Sequence, residues 1–435
     1  MINLSRTDTP PSVETVAEIL RGHNSMCPLY YDLDVILYRL ADTECELQKV
    51  RKEIKERYGK TGTPTELGKY IKLLVQQAGL ECIFETTSTG NLSLDKGSIA
   101  KAKALAGDNN GIITLLTLYE RYASLSSDAS KLSAFALYPQ SSKISRFGHR
   151  MVEIIPEWVP QVTGRIAMTR PAIQNTNRNM QDLLCAPQGY VALHCDSSQV
   201  DPRVAAAMIL DDPQITKLIQ VQGDAYMAFY RYCELSPEDI ASGRTDFEYE
   251  ALPEDVLDIR QKLKAETNGV IYGKSAPSID DPVVSKYYER IGNHPNMLAF
   301  KEQIKEKIAR NDYTVYTYFG TPLNILESDK LHQDWGNYFE KECIKLATNY
   351  TIQGTAADLM RFSVMEAHRA IAKTKQSYIN FYVHDAGYFL IHEDDLPLVQ
   401  DTLETVVSYN VDNGKFYVPS DCSYDTELDD LQGIL

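Results

Sequence analysis

Apolar residues recur at a helical period from Asp34 through Leu47 and run on into the charged stretch Lys49-Val-Arg-Lys-Glu-Ile-Lys-Glu-Arg57, which predicts one long helix over 34–57. Thr61-Gly-Thr-Pro64 breaks it, and 65–77 is amphipathic again, with Thr65 placed to cap the helix and Gly79 to stop it. The polar, turn-rich stretch 86–93 reads as a loop, and helical spacing returns over 100–105 and 112–125. Beyond Arg150 the period changes. Met151-Val-Glu-Ile-Ile is β-forming, as are two distant runs that each end in aspartate, Gly189-Tyr-Val-Ala-Leu-His-Cys-Asp196 and Ile379-Asn-Phe-Tyr-Val-His-Asp385, whereas 203–365 is mostly helical in period. Strand blocks separated by a long helical insertion predict an α+β fold whose sheet is assembled from two distant parts of the chain. The first dozen residues and the last ten are expected to be weakly ordered.

At 435 residues and 43% hydrophobic content the chain can bury a substantial core. It contains no apolar run of eighteen residues, and Met1-Ile-Asn-Leu-Ser-Arg-Thr-Asp-Thr-Pro lacks the apolar stretch of a signal peptide, so a soluble, cytoplasmic, membrane-free protein is expected. The eight cysteines are scattered without a Cys-x-x-Cys pair, which argues against structural zinc and a disulfide framework and for buried thiols. A net charge of −16 argues against nonspecific nucleic-acid binding unless the basic residues line a cleft. The runs 49–57 and 301–310 are basic, but glutamates interleave in both, the pattern of a solvated helix face.

Three segments carry candidate chemistry. If the strands ending at Asp196 and Asp385 lie side by side, they form a carboxylate pair able to hold Mg²⁺ against a nucleotide's phosphates. Between them, Arg260, Lys264, Asn268 and Tyr272 recur every four residues and share one helix stripe, so two cations can face a triphosphate. A metal-binding carboxylate pair with a cationic helix is the equipment of a nucleotidyl transferase.

In order along the chain, Asp196-Ser-Ser-Gln199-Val-Asp201-Pro-Arg203, then Arg260-x₃-Lys264-x₇-Tyr272-Gly273, then Val383-His384-Asp385 resemble motifs A, B and C of family A DNA polymerases, the bacterial polymerase I class. Thr163-Gly-Arg165 with Gln174-Asn175, and Asn349-x₃-Gln353-Gly-Thr-Ala-Ala-Asp358, extend the resemblance over nearly the whole chain from about residue 15. The resemblance implies a right-hand fold with a helical thumb over 15–150, an antiparallel-sheet palm over 151–212 and 345–435, and helical fingers over 213–344, after a weakly ordered 1–14 and without an exonuclease domain. It implies that Asp196 and Asp385 hold two Mg²⁺ ions, with Mn²⁺ able to substitute, and that Lys264 joins them in catalysis. Arg260, Lys264, Asn268, Tyr272, Gln199 and Asp201 would bind the nucleotide. Arg165, Gln174, Asn175, Lys345, Asn349, Gln353 and His384 would bind primer-template, reading minor-groove acceptors common to all Watson–Crick pairs. The expected partners are primer-template DNA, dNTPs, and a separate exonuclease, helicase or processivity factor. The expected protein is a monomer and a phage-type divergent member, in which case it works in the host cytoplasm. Asp32-x-Asp34, the nearest acidic pair to an exonuclease signature, reads as surface.

The sequence departs from the family pattern at three positions. Ala386 replaces the glutamate usual after the motif C aspartate. Asp201, followed by Pro202, replaces the glutamate that limits access to the ribose 2′-hydroxyl. Asn268 stands where the family carries Phe or Tyr. Single-subunit phage RNA polymerases share the Arg-x₃-Lys-x₇-Tyr-Gly helix and a His-Asp motif, which makes a ribonucleotide polymerase the alternative. A catalytically silent DNA-binding relative is a second one, against which the retained Asp196, Asp385, Arg260 and Lys264 speak.

Overall fold

The computed structural model describes residues 1–59, 64–77, 94, 96–105, 110–170, 183–242, 255–273, 282–328, 331 and 338–424. The chain divides into two compact units, one of Tyr30–Ile154 with Asp182–Gln188 and one of Met1–Leu29, Ile155–Gln181 and Gly189–Leu435. The chain opens with β1 (Ile2–Leu4) and α1 (Val13–Met26), which belong to the larger unit. The expectation of weak order at the N-terminus is therefore corrected: β1 pairs in parallel with a strand near residue 410, using hydrogen bonds that local composition does not reveal.

The smaller unit contains β2 (Leu29–Asp32), α2 (Leu33–Tyr58), α3 (Pro64–Gln77), α4 (Lys96–Leu105), α5 (Asn110–Ala136), β3 (Gln140–Ile144) and β4 (Arg150–Ile154). Its helices bury one stripe each, with Val50, Ile54, Leu67, Ile71, Leu115 and Leu116 in a common core. Helix α2 starts where Asp32 accepts the Val35 N–H at 2.9 Å and stops at Gly59, whose φ of +61° closes a bond to the Lys55 carbonyl. Asp32 is buried against the His149 ring at 2.6 Å, and Asp34 is bonded by Arg150, which holds its carboxyl below the usual range. The surface reading of Asp32 is thus corrected, because a cap and a histidine partner take it inside. The stop at Gly79 and the loop at 86–93 lie outside the described residues.

The larger unit continues with β5 (Glu157–Pro160), β6 (Ile166–Thr169), β7 (Tyr190–Ser197), α6 (Val200–Ala205), α7 (Pro213–Gln222), α8 (Ala225–Glu234), α9 (Pro237–Ser242), α10 (Asp255–Ile271), α11 (Pro282–Tyr287) and α12 (Pro295–Ala309). It ends with β8 (Thr314–Tyr316), β9 (Pro322–Asn324), α13 (Phe339–Ile371), β10 (Tyr378–Val383), β11 (Ala386–His392), α14 (Leu396–Leu403), β12 (Tyr409–Val411), β13 (Phe416–Val418) and β14 (Ser420–Tyr424). An antiparallel sheet of order β10-β11-β7-β14 joins strands nearly two hundred residues apart. On β7 the residues Val191, Leu193, Cys195 and Ser197 are buried, while His194 and Asp196 face the open side, the alternation of a sheet covered on one face. The covered face includes a bond from the Ser197 hydroxyl to the Val407 carbonyl at 2.6 Å, and α1 is fixed to β5 and β10 through Trp158 Nε1, Asn24 and the Asn380 carbonyl.

Cys195 and Cys422 stand directly opposite on β7 and β14, 4.2 Å apart at Cα, and are linked as a disulfide. The expectation of buried thiols rather than a disulfide framework meets an exception in this one pair, while Cys27, Cys185, Cys233 and Cys343 are buried thiols and Cys45 is an exposed one. The two bonded cysteines are 227 residues apart in sequence, and only the sheet register brings them together.

Helix α13 carries the run from Gln353 to Asp358, most of which is scaffold. Thr355 Oγ1 accepts the Tyr318 N–H at 2.9 Å, and buried Asp358 accepts from Thr317, Thr321 and Arg361. Gly354 lets the β8–β9 segment approach, because a Cβ there would lie 2.9 Å from Thr317 Cγ2 and closer still to Leu323. Gly354→Ala is expected to destabilise the protein by about 1–3 kcal/mol through overpacking, read as a lower denaturant midpoint at unchanged slope. An unchanged midpoint would show that the contact relaxes freely.

Candidate active site

The β10–β11 hairpin turns on two residues, His384 and Asp385, because Val383 pairs with Ala386. His384 takes a φ of +56°, in the left-handed region that tight hairpin turns use. Ala386 in turn pairs with Asp196 across β11 and β7, and the Ser197 N–H donates to the Asp385 carbonyl at 3.1 Å. The two aspartates are therefore adjacent at one end of the sheet. Asp385 is half-buried, and its pKa is pushed up to about 7, first by burial and then by the charges of Asp196 and Asp201. Asp196 lies on the exposed row.

Beyond β7 the chain turns through Gln199 at a φ of +58° into α6, which places Asp201 on the same side. The Tyr272 hydroxyl donates to Asp201 at 2.6 Å, and Arg165 lies 3.8 Å from the same carboxylate. Burial and then Asp201 raise the Tyr272 phenol well above its ordinary value. Helix α10 buries Leu263, Thr267, Val270 and Ile271 and carries Arg260, Lys264 and Asn268, with Tyr272 in the turn that follows it. Lys264 is exposed, and the Asn268 Oδ1 is buried without a hydrogen-bond donor among the described residues. Arg260 pairs with Asp224 at 2.7 Å and lies 5.7 Å from the centre of the Tyr226 ring. The Tyr226 phenol is pushed up to about 12, chiefly by burial, then by Asp201 and Asp224.

A water-accessible groove of about 650 Å³ runs beside this centre, lined by Thr163, Arg165, Asn349, Gln353, Tyr382 and His384 among others. Partial desolvation and then Arg165 lower the His384 pKa, which favours a neutral ring. The expected primer-template residues Arg165, Asn349, Gln353 and His384 thus meet in one place. Lys345 does not line the groove: it is exposed and pairs with Glu342 one turn earlier. Gln174 and Asn175 lie outside the described residues.

A family model described as DNA polymerase family A matches residues 38–427. The chain belongs to DNA polymerase family A. A DNA polymerase I of Pseudomonas aeruginosa is 25% identical over 364 residues, covering 80% of this chain and 36% of that protein. A thermostable DNA polymerase I of Thermus thermophilus is 22% identical over 387 residues, covering 81% and 42% respectively. The DNA polymerase I of Aquifex aeolicus is 28% identical over 218 residues, 49% of this chain and 34% of that protein. The chain therefore spans between about a third and two fifths of the length of these relatives. Among solved structures, the POL domain of Pol1 from M. smegmatis, in complex with DNA primer-template and dNTP, superposes with a TM-score of 0.71 at 18% identity, covering 94% of this chain and 69% of that one. The fold is that of a right-hand polymerase, α+β, with helical thumb, antiparallel-sheet palm and helical fingers. Among the described residues no helix is long and apolar enough to cross a membrane.

The donor chemistry of this family A chain fits a divalent cation. Asp196 and Asp385, with Asp201 in the field of Asp385, are hard oxygen donors of the kind a divalent cation takes, and among the described residues no group of three His, Cys, Asp or Glu side chains gathers to complete such a site. Asp224 and Tyr226, which meet Arg260 here, were not singled out by the sequence. Asp224 follows Gly223 and opens an apolar helix, a signal that reads only as an N-cap.

The raised Asp385 pKa has a stability consequence in metal-free protein. A carboxyl raised in the folded state favours folding when protonated, and this contribution is lost as pH rises from 3.8 through about 7. Asp385→Asn is therefore expected to raise the thermal midpoint in EDTA at pH 8, with the gain shrinking as pH falls through this window. A gain independent of pH would remove the charge of Asp385 as its cause.

Proposed function

We propose that this chain adds dNTPs to a primer 3′-end under the direction of a DNA template, by two-metal nucleotidyl transfer that releases pyrophosphate. The observation that carries the reading is the β7–β11 register, which brings Asp196 and Asp385 together at one end of the sheet. Asp196 and Asp385 would hold two Mg²⁺ ions, for which Mn²⁺ would substitute. When bound, the metals activate the primer 3′-hydroxyl and neutralise charge on the transferring and leaving phosphates.

The chain's own residues do the rest. Arg260 offers a planar fork of donors and Lys264 a compact charge to the triphosphate, so both strengthen as negative charge moves onto the leaving group. Tyr272 and Asn268 sit against the nucleotide, and Asp201, anchored by the Tyr272 hydroxyl, bounds the sugar with Gln199 behind it. Arg165, Asn349, Gln353 and His384 test the minor-groove edge of new pairs from the groove they line, joined by Gln174 and Asn175, while Lys345 tracks the backbone from the exposed side of α13. In this assignment the thumb spans 15–150, the palm 151–212 with 345–435, and the fingers 213–344. Asp32 and Asp34 are engaged by a helix cap, His149 and Arg150, so this acidic pair takes no part in the proposed chemistry. Primer-template DNA and dNTPs are the partners.

Extension of a labelled primer on a DNA template with Mg²⁺ tests this reading. Asp196→Ala and Asp385→Ala are each expected to abolish extension while keeping primer-template affinity within a few fold, and near wild-type extension by either would refute the site. Asp201→Glu fills the space of one more methylene beside the sugar and is expected to raise the dNTP/rNTP selectivity by roughly tenfold. An unchanged ratio would remove Asp201 from sugar selection. Extension chiefly by rNTPs in the unmodified protein would move it to the RNA-polymerase side.

A further inference from the structure

Asp224 lies outside the residues assigned above, yet three segments of the centre converge on it. Its Oδ1 accepts the Met227 N–H at 3.0 Å and so caps α8. Its Oδ2 accepts from Gln199 Nε2 at 2.8 Å and from Arg260 at 2.7 Å. Gln199 closes the circle by accepting the Ala225 N–H through its Oε1 at 2.5 Å. On a second side the Arg260 guanidinium meets the Tyr226 ring, 5.7 Å from its centre. One carboxylate therefore ties the turn after Asp196, the start of α8 and the arginine of α10 together.

We infer that Asp224 is a positioning residue for the incoming nucleotide: it fixes the Arg260 guanidinium, against the Tyr226 ring, in the orientation that receives the triphosphate. This inference rests on the nucleotide-site reading of Arg260. A guanidinium carries five N–H donors in a rigid plane. Asp224 engages Nε and Nη2 through a single oxygen, which sets the plane and leaves donors on the far edge for phosphate oxygens. A long side chain held in one rotamer before binding loses less freedom when the ligand arrives, so the fixed arginine binds phosphate more tightly than a mobile one. The second oxygen of Asp224 is committed to the helix cap, so the carboxylate cannot rotate away without freeing the Met227 N–H.

The cap and the arginine clamp separate experimentally. Asparagine is as good an N-cap as aspartate, so Asp224→Asn keeps the α8 start and removes both the charge and the acceptor that hold Arg260 and Gln199 Nε2. The test is single-nucleotide insertion on a primer-template with Asp224→Asn, Arg260→Ala and the double variant, each with its unfolding midpoint. Asp224→Asn is expected to raise the dNTP KM by roughly tenfold, the size of one lost charge-assisted hydrogen bond, with kcat and the midpoint near wild type. In the Arg260→Ala background the same change is expected to have no further effect on KM, because there is nothing left to position. An Asp224→Asn KM equal to wild type, or one that rises by the same factor with and without Arg260, would overturn the inference while leaving the nucleotide site standing. Asp224→Glu, which restores the charge on a longer arm, is expected to recover part of the lost affinity, and its failure to improve on Asp224→Asn would also count against the clamp. A wild-type KM in Arg260→Ala would overturn both the nucleotide-site reading and the inference built on it.

Discussion

The register of β11 between β10 and β7 is the constraint on which the centre depends. Ala386 faces Asp196 on one side and closes the His384-Asp385 turn on the other. A slip of one residue would send Asp196 to the covered face and Cys195 to the open one, since successive side chains alternate across a sheet. The buried residues of β7 and the Ser197–Val407 bond resist that slip, and the pairing of Cys195 with Cys422 repeats the same register on the other edge. The apolar face thus holds two like charges together on the polar face, where they repel. Burial first, and then the charges of Asp196 and Asp201, raise the Asp385 pKa to about 7.

A second layer of order supports the nucleotide side. Helix α10 packs Leu263, Val270 and Ile271 into the same core as Val204 and Ile352, and this burial fixes the helix that carries Arg260 and Lys264. Helix α13 serves two purposes with neighbouring residues. Gln353 opens onto the groove, while Gly354, Thr355 and Asp358 accept the β8–β9 segment on the other side. A change in the scaffold half would therefore move the groove-lining half, and loss of activity at Gly354 would not by itself make that residue catalytic.

Elements with a strong local period were legible in the sequence. The helix expected over 34–57 is α2, and the strands ending near Asp196 and Asp385 are β7 and β10, because amphipathic spacing and β-branched or aromatic runs act over a few residues. The four-residue spacing likewise puts Arg260, Lys264 and Asn268 on one helix, α10, with Tyr272 just past its end. What the sequence hid depends on contacts made across long separations. The pairing of β1 with β12, the Cys195–Cys422 bond and the burial of Asp32 under His149 have no local signature. Lys345 shares the period of Asn349 and Gln353 yet leans toward Glu342, since a period of four drifts around a helix of 3.6 residues per turn and a flexible lysine follows the nearest carboxylate. Asp224 was concealed differently: its sequence context explains it fully as a cap, and only the fold shows what its second oxygen holds.

The most direct test of the centre is a crystal structure of the protein with primer-template, a non-hydrolysable dNTP and Mn²⁺, located by anomalous scattering. The account predicts Mn²⁺ liganded by both Asp196 and Asp385, with the triphosphate against Arg260 and Lys264. Metal bound elsewhere, or a triphosphate that leaves α10 uncontacted, would contradict it.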